Sequence, residues 1–214
     1  HTPGKRWDCL YTWDSGFIGL GMNEIAPKLA EYILDTYLST EDNPDYAFLH
    51  HGSPVPVQIY QYYEMLQKTS DKAHLLTYYP RARLYYLFLA GKIRGSTTAK
   101  FGSGILTTYD YFYSTSGMDD YPAQVAMMKQ NLRDKASPVI TTSQVIRFGK
   151  ILAILAKKLG RNDEAAEYEK DAEIFTKALD TYSWDEESGY YSYVLHDENY
   201  NPTKKFTTAD GENL

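Results

Sequence analysis

The stretch Val145-Ile146-Arg147-Phe148-Gly149-Lys150-Ile151-Leu152-Ala153-Ile154-Leu155-Ala156-Lys157-Lys158-Leu159-Gly160-Arg161-Asn162-Asp163 decides the fold class. Val145, Phe148, Leu152, Leu155 and Leu159 recur at three- and four-residue steps, one stripe of a helix from about Thr142 to Leu159. Gly160-Arg161-Asn162-Asp163 then reads as a turn with a cap. Beyond it, Ala165, Tyr168, Ala172, Phe175, Leu179 and Tyr182 keep the same period. Two amphipathic helices joined by a short turn make a helical hairpin.

Outward from this hairpin the chain stays helical. A helix is expected from about Pro122 to Arg133, preceded by a polar, glycine-rich and aromatic loop over residues 92–116. Arg81 to Leu89 is apolar on nearly every side, a buried helix closed by Gly91, and Pro80 is expected to restart the chain there. Ser70-Asp71 caps a third helix, Ser53-Pro54-Val55-Pro56 leads into a second that ends near Gln67, and Met22 to Leu38 reads as the first. Gly189 to Leu195 alternates as a strand, half of a short β-hairpin. The fold class is therefore all-α. A helical-repeat solenoid is one option, because Leu159-Gly160-Arg161-Asn162-Asp163-Glu164-Ala165-Ala166 resembles a tetratricopeptide turn, but the fixed period of such arrays is missing. The other is a toroid of helical hairpins with a site at one end.

Composition narrows the functions. The chain has 214 residues, 43% of them hydrophobic, enough for one domain with a real core. A net charge of −6 and no basic run argue against nucleic acid. No apolar run suggests a membrane partner. The single Cys9 excludes an intrachain disulfide and a thiolate metal cluster. The opening His1-Thr2-Pro3-Gly4 shows no signal peptide but fixes no compartment, and a periplasmic or secreted location is compatible with it. Tyrosine is over-used, 21 against 8 Phe. Its apolar face and polar tip suit either a sugar or half-exposed helix packing.

Three constellations could carry chemistry. In Tyr11-Thr12-Trp13-Asp14-Ser15-Gly16-Phe17, Trp13 offers a stacking face and Asp14 two acceptors for adjacent sugar hydroxyls; alternatively, Trp13 anchors the core and Asp14 caps a helix. In His50-His51-Gly52-Ser53-Pro54, adjacent histidines on an extended segment point to opposite faces, so a substrate-lining turn or plain structure fits better than a metal site, and no cofactor is expected. In Ser116-Gly117-Met118-Asp119-Asp120-Tyr121-Pro122, two carboxylates follow a glycine beside Tyr109, Tyr111, Phe112 and Tyr113. A carboxylic acid beside aromatic surface is equipment for protonating a glycosidic oxygen, although an aspartate opening a helix reads the same way. Neighbouring residues cannot serve as acid and base across one bond, because inversion needs carboxyls roughly 6.5–9.5 Å apart. At most one of the pair is the acid. Trp184-Asp185-Glu186-Glu187 reads as a solvated turn, and Glu212 is a weak source of the partner.

Together, Tyr11–Phe17, His51-Gly52-Ser53-Pro54, Tyr79-Pro80-Arg81, Ser116–Pro122 and the closing Trp184–Tyr191 resemble, in content and order, glycoside hydrolase family 63 of the six-hairpin glycosidases. The resemblance implies an (α/α)6 toroid and hydrolysis of α-glucosidic linkages with inversion. It implies Asp119 as general acid. It also implies an oligosaccharide or α-glucoside partner held by Tyr11, Trp13, Asp14, Phe17, His51, Asp120 and Tyr121, the last two supporting the acid's loop. Two departures matter. Ala123 stands where the family often has arginine, and the family's general-base glutamate lies downstream of residue 214. Residues 1–214 are thus expected to be part of one catalytic domain, with only part of the ring present. Its open faces should associate with a second copy or with the remainder of the toroid. A non-catalytic carbohydrate-binding or scaffold module is the alternative.

Overall fold

The computed structural model describes residues 11–40, 52–111, 116–118, 120–208, 212 and 214. Seven helices and five short strands occur among them. The helices are α1 (Thr12–Ile25), α2 (Pro27–Tyr37), α3 (Val57–Thr69), α4 (Lys72–Leu89), α5 (Pro122–Lys129), α6 (Val139–Lys158) and α7 (Asn162–Tyr182). The strands are β1 (Ala136–Ser137), β2 (Trp184–Asp185), β3 (Tyr190–Tyr191), β4 (Val194–His196) and β5 (Pro202–Lys205).

The α6–α7 hairpin forms as its stripe predicts. Val145, Phe148, Leu152, Leu155 and Ala156 are fully buried against α4 and α7. Helix α6 is long and apolar enough to cross a membrane by length and composition, with a mean hydropathy of 1.4. Most of its apolar residues instead pack in the interior, the commoner fate of a core helix, with Ile154 left exposed. The turn closes by the Schellman arrangement: Arg161 N–H donates to Ala156 O at 2.9 Å and Gly160 N–H to Lys157 O at 3.0 Å, with Gly160 at φ +72°. No side chain caps the start of α7, so the cap expected there is absent.

Prolines account for two differences from the sequence reading. The expected helix from Met22 to Leu38 is two helices. Pro27 disfavours helical backbone in the residue before it, so Ala26 takes φ −152°, ψ 71° and Pro27 becomes the first residue of α2. Pro80, expected to restart the chain, lies inside a continuous α4. It sits on the exposed side of that helix, as does Leu76, whose carbonyl loses its partner and can meet water instead. Buried Leu75, Tyr78 and Tyr79 before it and Ala82, Leu84 and Tyr85 after it hold both halves in register. The cap at Ser70-Asp71 forms as read, with Asp71 Oδ1 accepting from Ala73 N–H at 2.7 Å.

Helix α1 docks on α3 in an unusual manner. Its buried residues are Thr12, Ser15, Gly16, Gly19 and Asn23, while Phe17, Ile18 and Ile25 face outward. A Cβ on Gly16 would lie 2.4 Å from Val57 Cβ, and one on Gly19 would lie 2.1 Å from Gln61 Oε1. The α1 backbone therefore lies directly on α3 side chains, tied by Gln58 Nε2–H to Thr12 O (2.7 Å) and Asn23 Nδ2–H to Gln61 O (2.9 Å).

Among the described residues nine tyrosines are buried: Tyr37, Tyr62, Tyr78, Tyr79, Tyr85, Tyr86, Tyr109, Tyr168 and Tyr193. Seven of these sit on helices, so much of the tyrosine excess is helix packing with a satisfied hydroxyl. Tyr86 donates to Asp171 Oδ2 (2.8 Å) and Tyr79 to Glu164 Oε2 (2.5 Å), joining α4 to α7.

The expected C-terminal strand divides between two sheets. β3 pairs antiparallel with β2, Trp184 opposite Tyr191, around a turn in which Ser188 N–H donates to Asp185 Oδ2 at 2.8 Å. β4 is the centre of an antiparallel sheet ordered β1-β4-β5, with Ala136 opposite Leu195 and Leu195 opposite Lys204.

Candidate functional site

The two motif segments meet at Trp13 and Gly117. Trp13 is the second residue of α1, and its indole packs edge-to-face on Phe17, centroids 4.7 Å apart at 65°. Gly117 has φ +74°, a conformation that disfavours any side chain. The place its Cβ would take is filled by the indole: Cζ2 at 2.3 Å, Cη2 at 2.6 Å and Cε2 at 3.1 Å. Residues 13–17 and 116–118, a hundred positions apart in sequence, are thus in direct contact.

Neither Asp14 nor Asp120 is the N-cap of a helix. The N-cap of α1 is Tyr11, and Asp14 lies in the first helical turn, half-buried, where the helix dipole favours a carboxylate. The N-cap of α5 is Tyr121, followed by Pro122 at the first helical position, and Asp120 precedes it as an exposed residue. Tyr121 N–H donates to Met118 O at 3.0 Å. Phe17 is 49% exposed, an apolar face open to solvent on the Trp13 side. Asp119 and His51 lie outside the described residues.

A tyrosine wall stands behind Tyr121. Its ring lies 6.1 Å from that of buried Tyr193, whose hydroxyl is 3.4 Å from that of Tyr109. Burial pushes both of these phenols above the ordinary tyrosine range. Arg133 Nη2–H holds the Tyr109 carbonyl at 2.7 Å. Leu214 packs on the same cluster and accepts from Tyr193 N–H at 2.6 Å. This brings the C-terminal segment with exposed Glu212 to the Tyr121 side, where partial burial and the nearby Tyr121, Asp185 and Glu212 raise the Tyr190 hydroxyl. Tyr193 escapes a motif reading because its place comes from strand pairing; the run Tyr190-Tyr191-Ser192-Tyr193 was its one sequence signal.

The loop of residues 92–111 is pinned at several points. Tyr111 stacks edge-on against Phe88 at 4.8 Å, and its hydroxyl donates to Gly95 O at 2.7 Å. Asp110 accepts from Thr97 (2.5 Å) and Lys100 (2.9 Å). Burial raises Asp110, but these hydrogen bonds and the charges of Lys100 and Arg133 outweigh it, leaving the carboxyl below 3.8.

His196, 3% exposed, stacks on Phe101 at 3.9 Å. Its Nδ1 lies 3.1 Å from Lys135 O and its Nε2 2.8 Å from Ser103 Oγ. Only the imidazole can donate to that carbonyl, so Nδ1 carries the proton and Nε2 accepts from Ser103. Burial lowers the His196 pKa, opposed by the Lys135 carbonyl and the Asp197 charge; the net lies below 6.5. The unfolded chain therefore takes up this proton first. The contribution of His196 to stability is complete above the unfolded pKa and is lost as pH falls through the folded one. Thermal melts should show Tm dropping as pH goes from about 7.5 to about 5.5, and His196→Gln should flatten that drop. Asp110 titrates too low to act in this window. An equal drop in the variant would remove His196 as its source.

Among the described residues no group of three His, Cys, Asp or Glu side chains is placed to hold a metal ion. No curated protein matches the chain. Residues 39–212, from the end of α2 through the strands, match the glycosyl hydrolase family 63 C-terminal domain. With most of its length covered and its helices and small antiparallel sheets consistent with that domain, the chain belongs to glycosyl hydrolase family 63.

Proposed function

We propose that this chain supplies the acid half of an inverting α-glucosidase site, with Asp119 as general acid. The observation that carries the reading is the contact of Trp13 with Gly117, which joins the sugar-facing motif to the segment bearing Asp119. The half-buried Asp14 carboxylate accepts from adjacent hydroxyls of the terminal glucose. Trp13, Phe17 and Tyr11 cover its apolar face, and His51 completes the lining. Asp120 and Tyr121 support the acid's loop. Asp119 protonates the leaving glycosidic oxygen as a water attacks the anomeric carbon from the opposite face. The base that activates this water is a glutamate beyond residue 214. The hairpins belong to an (α/α)6 toroid, and the outward apolar side chains of α1 and α2, Ile18, Ile25, Leu29 and Tyr32, are the face that the rest of the ring covers.

The complete protein should hydrolyse α-glucosides and release the β-anomer first, as followed by proton NMR before mutarotation. Release of the α-anomer, or no turnover of any α-glucoside, would sink the proposal.

A further inference from the structure

The sequence reading cast Trp13 as a sugar-stacking face, and that leaves its contact with Gly117 unexplained. The benzo edge of the indole occupies the Cβ position of Gly117, three atoms within 3.1 Å of it. The indole cannot retreat easily. Phe17 flanks it at 4.7 Å, and α1 itself is pressed onto α3 through Gly16, whose Cβ position is 2.4 Å from Val57 Cβ. Buried Gln58 holds the carbonyl of Thr12, the residue before the tryptophan, at 2.7 Å. On the other side, Gly117 is followed by the Tyr121 N–H to Met118 O bond at 3.0 Å and by α5, whose Ala123 is fully buried. A continuous set of close contacts thus runs from the Val57 and Gln58 side chains of α3 through α1 and the indole to Gly117. Asp119 follows two residues on, at most about 7.6 Å of chain.

We infer that Trp13 is a positioning residue for the acid: the indole acts as a spacer between α3 and residues 116–118, and Gly117 is the seat cut to receive it. This rests on Asp119 being the general acid. It gives α1, which lies outside the segment matched by the family domain, a part in the proton transfer without touching the proton.

The test uses Trp13→Phe, Gly117→Ala and the double variant in the complete protein. Gly117→Ala should lower kcat for an α-glucoside about 100-fold, since misplacing a catalytic group by an ångström costs that much, with KM changed far less. The basic limb of the kcat–pH profile, which reports the protonated acid, should move as well. Trp13→Phe, which withdraws the benzo ring and opens space, should lower kcat about 10-fold, and it carries the test alone if Gly117→Ala does not fold. The double variant should lose no more than Gly117→Ala, because both changes break one contact. The Trp13 emission, taken as the difference from Trp13→Phe, should shift in Gly117→Ala. If emission shifts but kcat and the basic limb do not, the contact exists without positioning the acid and the inference is overturned. Fully multiplicative losses overturn it too. A wild-type protein inactive on α-glucosides overturns the functional reading, and the positioning role with it; it is told apart from the first failure because no wild-type rate exists to compare.

Discussion

Asp119→Asn should reduce kcat for hydrolysis of an alkyl α-glucoside by about 10²–10⁴-fold, the contribution of a positioned general acid. Asparagine keeps the shape and hydrogen-bonding reach of the carboxyl but has no proton to give at neutral pH. KM should change little, because the lost interaction forms only as the glycosidic bond breaks. The loss should shrink steeply for α-glucosyl fluoride, whose departing fluoride needs far less protonation than an alkoxide does. That dependence on leaving group separates an acid from a residue that merely binds sugar. The expectation is motivated by the Ser116–Pro122 segment and by the indole lodged against Gly117 within it. Asp120, exposed and next in sequence, supplies the control. If Asp119→Asn keeps wild-type kcat on the alkyl glucoside while Asp120→Asn loses it, the acid has been assigned to the wrong neighbour.

Phe148→Ala should destabilise the protein by about 3–5 kcal/mol, among the largest losses any single truncation here can produce. Phe148 is fully buried on α6, edge-on to two α4 tyrosines: Tyr85 at 5.8 Å and 73°, Tyr86 at 5.4 Å and 82°. The next residue, Gly149, brings the α6 backbone so close that a Cβ would sit 3.3 Å from the Tyr86 ring. The two helices cannot collapse further to fill the hole, and both tyrosines are held by hydroxyl bonds, Tyr85 to Ser53 O and Tyr86 to Asp171. Phe148→Leu, which keeps most of the volume, should cost no more than about 1.5 kcal/mol. Urea unfolding of the three proteins measures both differences. A loss below about 1 kcal/mol for alanine would mean that α4 and α6 repack freely, against the geometry above.

How far the sequence discloses this molecule depends on what makes each contact. Helices α6 and α7 were legible because they meet through large apolar side chains, and a period of three and four is what such a contact leaves in a sequence. Helix α1 was legible only as a motif. It meets α3 through Gly16, Gly19, Thr12 and Asn23, with its large apolar residues pointing away, so no apolar stripe marks the buried side. The prolines show that a local rule needs a surface to act on. Pro27 broke a helix as its chemistry demands, whereas Pro80 did not, because it faces solvent and its neighbours on both sides are anchored in the core. At the site, the aromatic and acidic residues were visible as types, but the wall of Tyr121, Tyr193 and Tyr109 was not. It depends on β4 and the Leu214 segment returning to the start of α5, a pairing across some seventy residues that no local pattern encodes.

The register of β1 against β4 carries one more consequence. The chain enters the α6–α7 hairpin after Ala136-Ser137 and comes back at Val194-Leu195, and those four residues pair with each other. The hairpin with its following β-turn is therefore an excursion cinched at the neck. The entropy of closing so long a loop would ordinarily exceed what a two-residue ladder can return. Here the antiparallel helices, which form through contacts near in sequence, already carry the ends most of the way back together. The ladder has only to latch a circle that the helices have drawn, which is why so short a strand suffices at the junction between the hairpin and the wall of the site.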